Sequence, residues 1–276
     1  MLATAVRKVE TEVNDYWGVL KLNGNGYLDS VLLADLEIGL MKLLDDKKVM
    51  AIVIVSSRPE TFGYGLDRKE LAQLVEAGRG KTEEFLRRWG QLCLLLQNSS
   101  KPTFAAISGV CADAALELAL ACQYRIASRT ALMGFTGITR GLIPCMGGTQ
   151  RLPRLIGVKK AMLMMVGADK KLVHSRDALA DGLVDAVVEN SLAEAASQFA
   201  ARVLAGRSGI SRTMPQDREL DRADFADGKI FDFSADKPLA AMNGLIVAVR
   251  NGMDQKQLTT ALEIELKECL DCLFLK

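Results

Sequence analysis

The chain carries one histidine, His174, and no excess of either charge: 35 basic residues stand against 34 acidic ones in 276, a net charge of +1. Without a charge excess there is no electrostatic footprint for DNA or RNA and no polybasic membrane patch, though a local cluster can still hold one anionic ligand. With one histidine and a single CxxC, Cys269 and Cys272 among six cysteines, the four ligands of a zinc site are not assembled. Those cysteines read as two thiols one turn apart on a helix, and no metal is expected. His174 itself falls at a helix start where Ser175 looks like the N-cap, so a Ser-His-Asp triad is not expected. Long apolar runs are also missing. The longest uncharged stretches, 89–100 and 238–249, fall short of the roughly 18 residues that a membrane span needs. The opening MLATAVRKVETEVND turns charged before a signal-peptide core has formed. A cytoplasmic protein with reduced thiols is expected, or one of an organelle matrix if a transit signal was trimmed, with no membrane or nucleic-acid partner.

What is present is an ordinary globular composition, 49% hydrophobic and 25% charged, enough to bury one large core. The run Met50 to Ser56 is short, β-branched and continuous, as a strand buried on both faces should be. Thr103 to Ser108 and Tyr124 to Ser128 are similar. Helical patterns lie between them, at Leu32 to Leu44 and at Thr82 to Gln97, where Phe85, Trp89, Leu92 and Leu96 make one stripe. Strands alternating with helices predict parallel β-α units. From Ala205 the sequence turns polar and rich in turn formers. The expected organisation is an α/β core over 1–204, a linker over 205–237 and a helical segment over 238–276. In that tail Pro238 suits a first turn, Asn251-Gly252 suits a helix stop, and Leu258, Leu262, Cys269 and Leu273 form a stripe. Met162, Met164 and Met165 are expected to pack core or a subunit contact. No internal repeat is visible.

One residue does not fit its surroundings. In Ala114-Ala-Leu-Glu-Leu-Ala-Leu-Ala-Cys122 only Glu117 is polar, so it should be buried, and burial raises a carboxylate from about 4.3 toward neutrality. A structural Glu paired with Arg125 or Arg129 explains it as well as a proton-transferring group does. A strand and the turn Gly109 to Asp113 lead straight into this helix and aim its first free amides at a crevice, where they can hold a developing negative charge. A second donor could come from Thr61-Phe-Gly-Tyr-Gly-Leu-Asp67, whose glycines let the backbone bend and approach a ligand.

These stretches resemble the crotonase superfamily of enoyl-CoA hydratases and isomerases. Phe62 to Asp67 is similar to its F-x-x-G-A-D segment, Lys101 to Gly109 to its K-P-x-I-A-A-V-N-G strand, and Ala114 to Cys122 to its G-G-C-E-L-A helix. Gly141-Leu-Ile-Pro-Cys-Met-Gly-Gly-Thr-Gln-Arg-Leu-Pro153 is the most specific match, and Ala178 to Val188 is similar to A-x-x-x-G-L-V-D-x-V-V. The tail is most similar to the hydratase half of multifunctional fatty-acid oxidation subunits. The resemblance implies a ββα spiral core with a C-terminal helical tail, an acyl-CoA substrate that brings its own coenzyme A with no further cofactor, and a homotrimer or homohexamer whose tail packs at subunit contacts. It places oxyanion donors on the Leu66 and Ala114 amides, the proton-transferring carboxylate on Glu117, and a basic residue near the CoA phosphates at Lys69; in the same segment Gly65 is a candidate substrate contact, and Tyr64 could line the acyl pocket or close the turn. Lys69 reads equally as a solvated surface lysine.

Two departures bear on activity. The second glutamate of the family's hydratases falls at Gly137, and the glycine run before the helix has become Asp113-Ala114-Ala115. Asp113 reads as an N-cap, with a replacement acid as the alternative. Hydration needs one group to activate water and another to handle the proton at the α-carbon, so isomerisation or another proton shift is expected over efficient hydration. The alternatives are an impaired acyl-CoA-binding or structural subunit, and a thioester hydrolase or decarboxylase.

Overall fold

The computed structural model describes residues 7–167, 172–189, 191–206 and 238–275. Of the expected linker, all but Ala205 and Gly206 lies outside the described residues. A hairpin comes first: β1 (Val9–Asn14) pairs antiparallel with β2 (Trp17–Leu22), Asn14 facing Trp17 across a turn in which Asp15 takes φ +56°.

From β2 onward one unit recurs. A strand enters the large sheet, a short strand leaves it, and a helix returns. β2 is followed by β3 (Tyr27–Leu28) and α1 (Ser30–Asp45); β4 (Ala51–Ser56) by β5 (Thr61–Gly63), β6 (Gly65–Leu66), α2 (Arg68–Glu76) and α3 (Arg79–Gln97). β7 (Thr103–Ile107) leads to β8 (Val110–Ala112) and α4 (Ala114–Ala121), and β9 (Tyr124–Ser128) to β10 (Leu132–Gly134), a 3-10 turn at Gly137–Arg140, α5 (Gly148–Ile156) and α6 (Val158–Val166). The core closes with β11 (Val173–His174), α7 (Ser175–Ala180), β12 (Ala186–Val188) and α8 (Leu192–Leu204). The large sheet has the order β1-β2-β4-β7-β9-β12, parallel from β2 on, and the departing strands form a second sheet, β11-β10-β8-β5, and a β3-β6 pair. This is the ββα spiral that the resemblance implied.

Period-two alternation explains the continuous apolar strands. Ile52, Ile54, Ala105 and Ile107 face the main core, while Ala51, Val53, Phe104 and Ala106 face a smaller cluster capped by Ala196, Phe199 and Ala200 of α8. The stripe of α3 is buried as expected, and every residue of α4 is buried.

The tail is a helix pair, α9 (Leu239–Met253) and α10 (Leu258–Phe274), that folds back on α3 and α5 of its own chain. Salt bridges from Arg79 to Asp271 (2.7 Å) and Arg87 to Glu263 (2.5 Å) join α3 to α10. α9 ends at Met253, one residue past the expected stop at Asn251-Gly252; a Cβ on Gly252 would lie 2.3 Å from the Gln150 side chain, so this glycine also permits close packing on α5. Ser175 does not cap α7. His174 does, its Nδ1 accepting from the Arg176 amide at 3.3 Å, while Ser175 is buried and donates to the Arg129 carbonyl.

Candidate active site

Leu66 and Ala114 occupy equivalent places in consecutive spiral units, each where a departing strand gives way to a helix. Gly65 brings them together. It holds φ +112°, and a Cβ there would lie 2.9 Å from the Asp113 Cβ and 3.6 Å from the Ala114 nitrogen, so only glycine allows this approach. The Leu66 backbone is pinned on both sides, Tyr64 donating to the Gly26 carbonyl (2.7 Å) and Asp67 to that of Leu28 (2.8 Å). As the first residue of α4, Ala114 has an N–H without an intrahelical acceptor.

Both residues line a cleft of about 670 Å³ together with Tyr64, Asp113, Glu117 and Gly137. Its walls are largely apolar, from Leu71, Leu86, Phe135, Ile143, Met165 and Leu273, and two cations, Arg68 and Arg140, stand among the lining residues. Met162 and Met165 are core residues, and Met165 reaches the cleft as well. Lys69 is exposed on α2 outside the lining; the basic residue of α2 that reaches the cleft is its neighbour Arg68. Among the described residues no three His, Cys, Asp or Glu side chains are grouped to hold a metal, and no helix is long and apolar enough to cross a membrane.

Glu117 is 1% exposed. Neither Arg125 nor Arg129 partners it: Arg125 faces Asp185, and Arg129 bonds Glu189. Its carboxylate instead sits on the turn before α5. Oε1 accepts from the Met146 amide (2.7 Å) and the Gly148 amide (2.8 Å), and Oε2 from the Cys145 amide (3.3 Å). The most family-specific motif of the sequence is thus the cradle of this carboxylate. Gly147 holds φ +107°, where a Cβ would lie 1.7 Å from the Arg151 guanidinium, and a Cβ on Gly148 would lie 2.9 Å from Glu117 Oε1. The glycine pair lets the amides come close enough. Burial and the neighbouring Glu265 carboxylate push Glu117 up to about 8, against the pull of the three amides.

Asp113 occupies the N-cap position of α4 but does not cap it. With φ at +51° its side chain swings to the next spiral unit, a correction to the expected cap. There Oδ1 accepts from the Thr136 amide (2.6 Å) and the Gly137 amide (3.0 Å), and Oδ2 from the Thr136 hydroxyl (2.7 Å) and Arg140 (3.3 Å). A carboxylate has about four acceptor sites, all of which are filled on Asp113, whereas Glu117 keeps one, on Oε2. Asp113 braces the Gly137 turn.

Two buried residues, Glu265 and Arg151, and the cleft position of two cysteines escaped the sequence reading. Glu265 of α10 accepts from the Thr149 amide (2.7 Å) and from the Gly147 amide, on the same turn as Glu117. Arg151 donates to Gln97 and to the Met146 carbonyl (2.7 Å each). Cys145 and Cys269 line the cleft beside Glu117. Glu265 falls on the α10 stripe, seven residues after Leu258 and three after Leu262, so its burial was readable from spacing.

A family model described as enoyl-CoA hydratase/isomerase matches residues 23–221. The chain belongs to this family, and with it to the crotonase superfamily. It is 33% identical over 239 residues to a fatty acid oxidation complex subunit alpha of Shewanella frigidimarina (strain NCIMB 400), covering 82% of this chain and 32% of that protein. The chain therefore spans about a third of the length of this curated relative. Among solved structures, Pseudomonas aeruginosa DspI superposes with TM-score 0.67 at 25% identity, over 97% of each chain. Enoyl-CoA hydratase from Bacillus anthracis, at 24% identity, shares the fold with TM-score 0.66 over 95% of this chain and 89% of its own. The family's motifs in this chain are the parts that build the cleft: the Gly65 approach, the start of α4 and the Pro144–Arg151 turn.

Proposed function

We propose that this chain binds acyl-CoA thioesters and moves a proton along the acyl chain, converting a 3-enoyl-CoA to the 2-enoyl isomer in preference to hydrating it. The Leu66 and Ala114 amides are the donors for the thioester oxygen. Glu117 Oε2 takes a proton from C2, the electron pair moves onto that oxygen, the double bond shifts from C3–C4 to C2–C3, and the proton is returned at C4. Fixed donors aimed where charge develops are worth most in a cleft that excludes water, about 3 to 4 kcal/mol of barrier for one such donor. The observation that carries this reading is a buried glutamate with one open acceptor site, in the same cleft as Leu66 and Ala114. The preference for isomerisation is supported by Gly137, which has no carboxylate, and by Asp113, whose oxygens are already engaged. Arg68 and Arg140 are the cations for the anionic end of the substrate.

A direct comparison of the two reactions on one preparation tests the reading. Isomerisation of 3-hexenoyl-CoA should outrun hydration of crotonyl-CoA by about 100-fold or more, since a missing proton-handling group typically costs 10²- to 10⁴-fold. Hydration at an equal or higher rate would reject the preference. Saturable binding with neither reaction would instead favour a subunit that binds acyl-CoA without turnover.

A further inference from the structure

The turn that cradles Glu117 has a second owner. Its amides alternate between two carboxylates: Cys145, Met146 and Gly148 donate to Glu117, while Gly147 and Thr149 donate to Glu265. Glu265 is 1% exposed and arrives on α10, more than 110 residues further along the chain. The turn is a thin wall. Glu117 lines the acyl cleft on one side, Glu265 lines a separate depression of about 650 Å³ on the other, and Cys145 lines both.

The groups facing this pair leave its charge uncompensated. From α5 comes the fully buried Arg151, the cation acting on Glu265; from α3 comes Cys93, whose thiol burial pushes up to about 12. Contact with Cys269 of α10, and burial, raise Cys145 on the turn itself, so this thiol is neutral. Arg87 and Glu263 line the depression and pair with each other; Asp113, Arg68 and Arg140 stand in the cleft on the other side. Two buried carboxylates against one guanidinium carry a net negative charge when both are ionised. Such a pair titrates as a unit and retains one proton through neutrality.

We propose that Glu265 is a positioning residue for Glu117: it anchors the turn from the far side, so that the tail helix sets both the place of the Glu117 carboxylate and the pH at which it ionises. This rests on the reading of Glu117 as the proton-transferring group, but the pairing is a property of the ligand-free protein and can be measured without turnover.

The experiment is an infrared titration of the full chain without ligand, following the protonated-carboxyl band in wild type, Glu265→Gln and Glu117→Gln, alongside the pH dependence of isomerisation in the first two. In Glu265→Gln the Glu117 band should vanish at a pH lower by about one unit or more, and the acid limb of the rate profile should move with it. Because the pair shares its proton, removing either carboxylate should lower the transition of the other, so the Glu265 transition should also fall in Glu117→Gln; that readout stands even if Glu265→Gln fails to fold. Coincident titrations in wild type and variants, with an unmoved rate profile, would overturn the proposal and leave Glu265 a structural residue. Reciprocal shifts in a protein with no isomerase activity would uphold the pairing and sink the catalytic reading of Glu117 instead.

Discussion

Glu117→Gln abolishes turnover while leaving the fold in place: the expected loss in isomerisation is on the order of 10²- to 10⁴-fold, the contribution of one well-placed proton-transferring group. The substitution is nearly isosteric. The amide oxygen can still accept from Met146 and Gly148, and the amide nitrogen replaces Oε2, the one oxygen with an acceptor site to spare. What disappears is the ability to take a proton, together with the long bond that Oε2 accepts from the Cys145 amide (3.3 Å), so KM should change far less than kcat. In wild type the rate should rise with pH through about 8, because the base works only when ionised and burial with a neighbouring carboxylate holds its proton to that pH. Steady-state kinetics across pH, with circular dichroism to verify folding, make the check. An unchanged rate in Glu117→Gln would make Glu117 a structural carboxylate whose role is to hold the turn before α5.

The largest expected effect on stability comes from Arg151→Met. Arg151 is 0% exposed and is the cation acting on Glu265, the carboxylate coupled to Glu117, so removing it leaves the buried pair without a counter-charge. Removing one partner of a buried ionic cluster typically costs about 3 to 5 kcal/mol. The sign of its pH dependence follows from the raised carboxylates. A carboxyl held above its unfolded value stabilises the fold at low pH, and that contribution is lost as pH rises through its folded value. Loss of the guanidinium raises Glu265 further, so the deficit should widen as pH rises toward and past about 8, where the coupled pair loses its last proton. Urea unfolding across that range measures it. A deficit that shrinks with rising pH would contradict the charge accounting, and a stability equal to wild type would mean that Arg151 contributes packing alone.

Much of this was legible in local pattern. Short β-branched runs gave β4, β7 and β9 because those strands are buried on both faces, and α4 stood out as oily all round with one polar residue, Glu117. The short strands β3, β5 and β6, of two or three residues each, have no periodicity to read, yet they position Gly65 and Leu66. Partners were harder than placement. Asp113 carries the residue type of an N-cap, but a positive φ sends its side chain to Thr136 and Gly137, over twenty residues away. Glu265 lay on a readable stripe, but nothing local says that a carboxylate in the tail meets the Gly147 and Thr149 amides. Gly252 marks the end of α9 to within a residue, but its packing partner, Gln150, is remote in sequence and was not readable.

The central claim is a geometry: a thioester oxygen between two amides, with a carboxylate beside the carbon that gives up its proton. A crystal structure of the chain with a bound, unreactive acyl-CoA analogue tests it most directly. The expected result is a thioester oxygen within about 3 Å of both the Leu66 and Ala114 nitrogens, with the α-carbon facing Glu117 Oε2 across a dry cleft. An acyl chain lying outside the cleft, or a thioester oxygen that meets neither amide, would contradict the account.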